Sequence, residues 1–204
     1  MRDDDLIAYY RQDAPVRDAT PESAVRAGFR RRFTRLLAAE GRRTVIEAGC
    51  GPGGDGRGFT DAGLDWTGFD LTDANAAIAG GHGLRAVTGS LFDPPFRPGV
   101  FDAVWCMSTL VHVADADLDR AMTALRALAR PGAPFGIGLW EGPDLEWVVD
   151  EDRFDPPRFF SRRNGRRARE LLGAHGTVEH HEVVEKPAGA AADYQFLILR
   201  TATS

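Results

Sequence analysis

The stretch that decides the fold is Thr-Val-Ile-Glu-Ala-Gly-Cys-Gly-Pro-Gly-Gly, residues 44–54. Its first five residues form the short, mostly apolar run that is typical of a buried strand, and glycines follow at once. Gly49, Gly51 and Gly54 satisfy the pattern G-x-G-x-x-G, whose glycines permit positive φ angles and close approach of the backbone to a ligand. The loop then opens a helix, whose free N–H groups bind polar ligands. The stretch therefore predicts a strand, a ligand-binding loop and a helix in succession.

Strand and helix patterns alternate through the rest of the chain. We expect strands over residues 44–48, 65–70, 84–88, 101–107, 134–140, 178–184 and 194–200. We expect helices between them, with the last at 162–172. A short linker rich in Pro, Ala and Gly joins the last two strands, which favours antiparallel pairing. The sequence predicts an α/β fold with a doubly wound, mostly parallel seven-stranded sheet, an antiparallel last strand and helices on both faces.

A helical lead-in precedes the alternation. Thr20 is a suitable N-cap and Pro21 suits the first turn of an amphipathic helix that ends near Gly41. Residues 6–10 indicate a shorter helix or arm. We therefore expect an N-terminal helical arm or lid over residues 1–40 and a Rossmann-like domain over residues 41–204.

Composition narrows the class of protein. The chain has 25 basic and 30 acidic residues and a net charge of −5, which counts against a nucleic-acid partner. Cys50 and Cys106 lie in apolar runs and form no spaced ligand set, so we expect no metal. No signal core and no apolar run long enough for a bilayer is visible, so we expect a cytoplasmic protein without a membrane partner. The sequence leaves the oligomeric state open.

Two acidic residues accompany the glycine loop. Glu47 stands just before the glycines, and Asp70 ends the second strand, where a carboxylate can accept hydrogen bonds from a ribose diol. The glycine loop alone fits a nicotinamide dinucleotide equally well. A carboxylate beside the loop, however, suits a ligand that carries an ammonium and a sulfonium group better than one that carries a pyrophosphate.

Five segments together resemble the motifs of class I (Rossmann-like) S-adenosylmethionine-dependent methyltransferases, over roughly residues 41–140. They are residues 45–54, 68–71, 89–96, 101–113 and 125–132. The resemblance implies that S-adenosylmethionine is the cofactor. It places Glu47, Gly49 and Gly51 along the methionine part, and Asp70 on the ribose hydroxyls. It places four further residues on the cofactor, mainly around adenine: Leu71, Ser90, Leu91 and Met107. The family often has aspartate where Ser90 stands, although a serine hydroxyl also accepts a hydrogen bond.

His112 is the candidate catalytic residue. It lies just beyond the fourth strand, at the edge of the sheet where ligands of such folds bind. A histidine titrates near neutral pH and can remove the proton of a phenol or alcohol. The alternative is that His112 packs beside the cofactor or bonds a backbone carbonyl. Methyl transfer itself needs a base only when the nucleophile starts protonated.

Four residues are candidates for substrate binding. Tyr9 and Tyr10 lie in the N-terminal arm, and arms in related enzymes close over the cofactor; the alternative is ordinary helix packing. Trp140 ends the fifth strand and would offer a platform to an aromatic or cationic substrate, or else belong to the core. Glu141 would bind an amine or act as a base, or be a solvated loop carboxylate. The acidic stretch 141–160 that follows is expected to cover the site.

Three functions remain open from the sequence. The favoured one is a methyltransferase for a small-molecule acceptor, at O, N or C, since the chain carries no recognisable extra recognition module. The second is a methyltransferase for RNA or protein; arginines at 162–169 would serve a phosphate-bearing substrate, but a solvated helix face is the simpler interpretation. The third is a nicotinamide-dependent oxidoreductase or a non-catalytic Rossmann protein.

Overall fold

The fold is described from a computed structural model, which covers residues 3–185 and 192–203. Within these residues seven strands form one sheet in the order β3-β2-β1-β4-β5-β9-β8. Their bounds are Thr44–Ala48 (β1), Asp65–Asp70 (β2), Ala86–Thr88 (β3), Ala103–Met107 (β4), Pro134–Glu141 (β5), Thr177–Val184 (β8) and Asp193–Arg200 (β9).

The pairing of the strands confirms the predicted sheet. β1, β2, β3, β4 and β5 pair in parallel, and β9 runs antiparallel to both β5 and β8. The chain order reverses between β1 and β4, which is the switch point at which ligands of doubly wound folds bind. The predicted linker of the last hairpin falls largely on residues 186–191, outside the described residues.

Six helices within the described residues surround the sheet. Their bounds are Asp3–Ala19 (α1), Ala24–Ala39 (α2), Gly54–Asp61 (α3), Asp73–Gly81 (α4), Asp115–Leu128 (α5) and Gly165–Gly173 (α6). A 3-10 turn over Leu110–His112 follows β4 directly. No helix in this part of the chain combines the length and the apolar composition that a bilayer span demands.

Alternate residues of each central strand contribute their side chains to two separate hydrophobic cores, one on each face of the sheet. Ile46 and Val104 pack with α5 and the inner face of α6 on one side of the sheet. Val45 and Trp105, each one residue away, pack with α2 and α3 on the other side. Side chains of a strand alternate between its faces, so helices on both faces account for strands that are apolar throughout.

The N-terminal arm is longer than its sequence pattern indicates. Residues 6–10 were the expected helix, but α1 runs from Asp3 to Ala19, with acidic residues in the first turn, where the helix dipole favours them. Only Tyr9, Asp13 and Ala14 are buried in it, so the helix has no clear apolar stripe. The next helix starts at Ala24 after Ser23, rather than at Thr20.

A two-stranded hairpin stands where the sequence predicted only a covering segment. β6 (Leu145–Val148) pairs with β7 (Phe159–Arg162), and Trp147 lies opposite Phe160. The last helix therefore begins at Gly165 rather than at Arg162, with Asn164 as N-cap accepting a hydrogen bond from the backbone of Arg167. The cross-strand partners lie more than ten residues apart, which is why a local pattern does not reveal the hairpin.

Candidate functional site

One cavity of about 760 Å³ lies at the carboxyl edge of the sheet, under α1. Its walls come from the segments that follow β1, β2, β3 and β4, and from α1 and the start of α2. This is the location that the strand order predicts for a ligand. The cavity is within the range of about 300–1,000 Å³ that is usual for small-molecule sites.

The glycine loop forms the floor of the cavity beside β1. Gly49 and Gly51 both line it, with φ angles of 68° and 54° that side-chain-bearing residues rarely adopt. A side chain at position 49 would also overlap that of Thr109, which packs directly on this glycine. The Thr109 hydroxyl donates a hydrogen bond to the Ala48 carbonyl at 3.1 Å, so the ends of β1 and β4 are tied together.

Asp70 lies at the end of β2 and faces the same floor. Its Oδ2 accepts a hydrogen bond from the Gly51 backbone at 2.8 Å. Its Oδ1 accepts from the backbone and hydroxyl of Thr72, at 3.0 and 2.8 Å, and from the Asn75 amide at 3.1 Å. A carboxylate has about four acceptor positions, two on each oxygen. Oδ2 therefore keeps capacity for a ligand hydroxyl in the cavity, and the residues present fit a ribose.

The remaining residues that the resemblance placed on the cofactor also line the cavity. Leu71, Ser90, Leu91 and Met107 are all on its wall. The Ser90 hydroxyl accepts a hydrogen bond from the backbone of Phe92 at 3.3 Å, and Phe92 adds an aromatic edge to the same wall. Apolar side chains, the Ser90 hydroxyl and the Asp3 carboxylate therefore line the cavity together with Asp70, and these residues fit an adenine ring.

Glu47 does not line the cavity, in contrast to the expectation from sequence. It is fully buried behind the loop, where its Oε2 accepts a hydrogen bond from the Trp66 indole at 2.9 Å. Burial, reinforced by the negative charge of Asp55, raises the pKa of Glu47 well above its usual range. Its Oε1 has no hydrogen-bond partner and lies 3.6 Å from the guanidinium of Arg26.

Arg26 and Asp55 take the wall position expected of Glu47. Arg26 Nε donates to Asp55 Oδ2 at 2.6 Å, and the Trp105 indole donates to the same oxygen at 2.7 Å. Burial by itself raises the pKa of Asp55, but Arg26, the Trp105 indole and Arg30 together outweigh it, so the pKa lies below its usual value. Both residues line the cavity, so a fixed guanidinium group is presented there. Neither residue belongs to a motif, which is why sequence reasoning missed them.

His112 lines the cavity one 3-10 turn beyond Thr109. Its Nδ1 lies 2.8 Å from the carbonyl oxygen of Phe159, and its Nε2 lies 2.6 Å from the Tyr10 hydroxyl. Burial, with a smaller contribution from the charge of Arg158, lowers the pKa of His112 to about 4. The imidazole is therefore neutral at pH 7. The backbone bond foreseen as the alternative role is present, and the ring reaches the cavity as well.

The four predicted substrate residues divide into two groups. Tyr10 lines the cavity, but Tyr9 is 1% exposed and donates its hydroxyl to Asp152 at 2.9 Å, outside the cavity. Trp140 stacks on Phe160 with ring centroids 4.5 Å apart. Trp140 and Glu141 are both absent from the cavity wall: Phe160 of β7 covers Trp140, and Glu141 lies at the start of α6, where the Gly165 backbone donates a hydrogen bond to it.

The arginines at 162–169 do not form one solvated helix face. Arg163 is 1% exposed; its guanidinium pairs with Asp115 at 2.7 Å and donates to the carbonyls of Leu110 and Val113, at 3.0 and 2.7 Å. Arg163 therefore clamps the turn that carries His112. Arg166, by contrast, is an exposed partner of Glu170.

Comparison with known proteins agrees with this geometry. Residues 45–132 match the family model described as a methyltransferase domain. This part of the chain is a methyltransferase domain. The matched region contains the glycine loop, Asp70 and His112, whereas α1, α2 and the hairpin β6–β7 lie outside it.

Curated relatives resemble the domain over part of their length. The ubiquinone biosynthesis O-methyltransferase of Bordetella avium (strain 197N) is 37% identical over 101 residues, which are 46% of this chain and 40% of the relative. The malonyl-[acyl-carrier protein] O-methyltransferase of Pseudescherichia vulneris is 35% identical over 139 residues, 62% of this chain and 53% of the relative. The chain thus spans about half or less of the length of these relatives.

Solved structures extend the likeness over nearly the whole fold. The 1,6-didemethyltoxoflavin-N1-methyltransferase of Burkholderia thailandensis, solved with 1,6-didemethyltoxoflavin and S-adenosylhomocysteine, superposes with a TM-score of 0.74 at 22% identity. The alignment covers 98% of this chain and 87% of that one. The magnesium protoporphyrin IX methyltransferase of Synechocystis PCC 6803, with bound S-adenosylhomocysteine, gives 0.70 at 15% identity and covers 97% and 98%. The fold around the methyltransferase domain is therefore that of the class I enzymes.

Proposed function

We propose that the protein transfers a methyl group from S-adenosylmethionine to a small-molecule acceptor. The observation that carries the proposal is the bond from the Gly51 backbone to Asp70, which joins the glycine loop and a ribose-binding carboxylate on one cavity wall. In this proposal the cofactor residues are those predicted from sequence, except that Arg26 and Asp55 replace Glu47 on the wall.

Each part of the cofactor would be bound by residues of suitable chemistry. Asp70 would accept a ribose hydroxyl on Oδ2, and Leu71, Ser90 and Leu91 would enclose the adenine. Arg26 lines the cavity beside Asp55 and would pair with the methionine carboxylate. Met107, 2% exposed, contributes an apolar contact beside the loop.

Catalysis by this site depends on position more than on acid–base chemistry. S-adenosylmethionine supplies a methyl group that its positive sulfur already activates. The protein has to align the acceptor with that methyl group and to exclude water. Residues of α1 line the cavity, which supports the proposal that the N-terminal arm, residues 1–40, acts as its lid. His112 is neutral and can accept a proton where the acceptor is a hydroxyl.

The preference for a small acceptor follows from the enclosure of the cavity. The helix α1 is held over it by the pairs Arg11–Asp73, at 2.8 Å, and Asp18–His82, at 2.8 Å. A polymer would have to reach beneath this helix or displace it. A small molecule needs only the space that remains beneath it.

Calorimetry with the whole chain tests the proposal. S-adenosylmethionine and S-adenosylhomocysteine should bind with one site per chain, and NAD should not bind at comparable concentration. Binding of NAD without binding of either sulfur ligand would overturn the proposal. Transfer of a labelled methyl group to a panel of small hydroxyl, amine and carbon acceptors then tests catalysis.

A further inference from the structure

The Tyr10 side chain occupies a defined slot of the cavity. A carbonyl oxygen only accepts hydrogen bonds, so the contact with Phe159 fixes the His112 proton on Nδ1 and leaves a lone pair on Nε2. The Tyr10 hydroxyl, 2.6 Å from Nε2, is therefore the donor in that pair. A phenolic O–H thus sits on the one basic nitrogen that faces the cavity.

The slot also recognises the other chemical features of a phenol. Nη1 of Arg158 donates a hydrogen bond to the Tyr10 oxygen at 3.3 Å. The guanidinium of Arg17 lies 5.0 Å from the centroid of the Tyr10 ring, within the range of a cation–π contact. The hydroxyl proton, the oxygen and the ring face each have a separate partner.

Arg158 is held in place without help from Tyr10. It makes two hydrogen bonds to Asp152, Nε to Oδ2 at 2.8 Å and Nη2 to Oδ1 at 2.9 Å, and it lies 4.0 Å over the Tyr9 ring. His112 is likewise held by Phe159 and stacks near Phe160, with centroids 4.7 Å apart. The slot would therefore keep its shape if the Tyr10 side chain left it.

The slot adjoins the proposed position of the methyl group. Thr109 packs on Gly49 of the glycine loop, and His112 follows three residues later in a 3-10 turn, about 6 Å along the chain. Tyr10 and His112 line the same cavity as Gly49 and Met107. An oxygen bound to Nε2 is thus placed at the edge of the site where the methionine part would end.

Fastening of α1 does not need the Tyr10 hydroxyl. Other polar contacts already hold this helix, among them Tyr9 to Asp152, Arg11 to Asp73 and Asp18 to His82. An extra hydroxyl donated to a functional histidine is therefore more than a helix anchor.

We propose that Tyr10 is an internal substitute for the acceptor, and that the acceptor is an aromatic hydroxyl compound which displaces it from His112 and Arg158. The inference rests on the proposed function and adds a substrate class to it.

The chemistry balances with the residues of the slot. The acceptor oxygen forms a bond to the methyl carbon while the bond from that carbon to sulfur breaks, and its electron pair stays on sulfur. The hydroxyl proton passes to Nε2 of His112 and later to water. The products are an aryl methyl ether and S-adenosylhomocysteine.

The weak basicity of His112 is compatible with this step. Burial lowers its pKa to about 4, far below that of a phenol. As the bond to carbon forms, however, the oxygen gains positive charge and its proton becomes strongly acidic. A neutral imidazole can accept the proton at that stage, while Arg158 fixes the direction of the oxygen.

Phenol itself is the probe for the test. Tyr10→Ala empties the slot. Tyr10→Phe keeps the ring in it but removes the hydroxyl that donates to Nε2 of His112. With S-adenosylhomocysteine saturating, phenol should bind Tyr10→Ala at least about tenfold more tightly than the wild type, since the slot no longer has to be vacated first. Tyr10→Phe should bind phenol more tightly than the wild type by a smaller factor. Anisole, which lacks the O–H, should gain nothing, and adding His112→Leu to Tyr10→Ala should remove the gain.

Methyl transfer completes the test. With labelled S-adenosylmethionine, Tyr10→Ala should convert phenol to anisole faster than the wild type does, and the double variant should not. Equal phenol affinity in the wild type and both Tyr10 variants would overturn the inference, as would bound phenol that is never methylated. Binding of S-adenosylhomocysteine is measured first: its failure in the wild type refutes the proposed function, whereas its success without phenol discrimination refutes only the substitute role of Tyr10.

Discussion

Replacement of Asp70 by asparagine tests whether this carboxylate binds the cofactor, and it should lower both the stability of the fold and the affinity for S-adenosylhomocysteine. Asp70 accepts hydrogen bonds on two sides, from Gly51 on Oδ2 and from Thr72 and Asn75 on Oδ1. Asparagine has only one carbonyl oxygen, so its NH2 group must oppose one of these donors. A buried donor left without an acceptor costs about 1–3 kcal/mol. We therefore expect unfolding at lower denaturant concentration, with a melting temperature lower by about 2–4 °C per kcal/mol.

The effect on the ligand follows from the same change. A hydrogen bond to a charged group contributes about 1.5–3 kcal/mol. Loss of the carboxylate should therefore weaken S-adenosylhomocysteine binding about 10–150-fold, measured by calorimetry at a temperature where the variant is folded.

Asp73→Asn is the matched control for this variant. It removes the same charge three residues away, and Asp73 is an exposed partner of Arg11 outside the cavity wall. An exposed pair contributes only about 0–1 kcal/mol, so its binding of S-adenosylhomocysteine should stay within about twofold of the wild type. Wild-type affinity in folded Asp70→Asn, or equal losses in the two variants, would refute the reasoning.

Three further outcomes follow from the structure. Burial lowers the pKa of His112 from 6.5 to about 4, so the unfolded chain binds a proton there at a higher pH than the folded chain does. The free energy of unfolding, followed by urea titration, should therefore fall as the pH is lowered from 6.5 to 4. It should fall less in His112→Leu. Arg26→Gln should weaken binding of S-adenosylhomocysteine about tenfold but leave 5′-methylthioadenosine, which lacks the amino acid part, unchanged in calorimetry; an equal loss for both ligands would argue against a contact with the carboxylate. Arg163→Leu removes the donor that serves the Leu110 and Val113 carbonyls, while Asp115 keeps Arg167, and should destabilise the fold by about 1–3 kcal/mol, whereas Arg166→Leu should stay within about 0.5 kcal/mol; similar denaturation midpoints would contradict the clamp.

Strands with a strong local signal were predicted closely from sequence. β1 and β2 begin and end at the predicted residues, because an apolar run bounded by glycine or by charge specifies a buried strand locally. The mostly parallel, seven-stranded sheet and the antiparallel β9 were also predicted, since alternation and a short final link restrict the topology. β3, by contrast, is two residues shorter than predicted, as expected at the edge of a sheet.

The glycine loop, Asp70 and Tyr10 lie on the cavity wall as the sequence predicted, whereas Glu47, Tyr9, Trp140 and Glu141 do not. Gly49, Gly51 and Asp70 lie on the cavity wall because strand ends meet at one edge of a parallel sheet. Arg26 reaches the wall from a helix, and nothing in the local sequence distinguishes it from other helix arginines. Trp140 has the chain position of a site residue but is covered by Phe160.

The sequence by itself determined the class of fold, the nucleotide-type loop and the edge of the sheet that holds the site, because these depend on short-range patterns of burial and on glycine geometry. Tertiary structure alone decided which charges face the cavity. Glu47 and Asp55 are eight residues apart and both buried, yet only Asp55 lines the wall, since the Trp66 indole holds Glu47 behind it. It also decided that Tyr10 meets His112, a contact between residues 102 positions apart that no local pattern encodes.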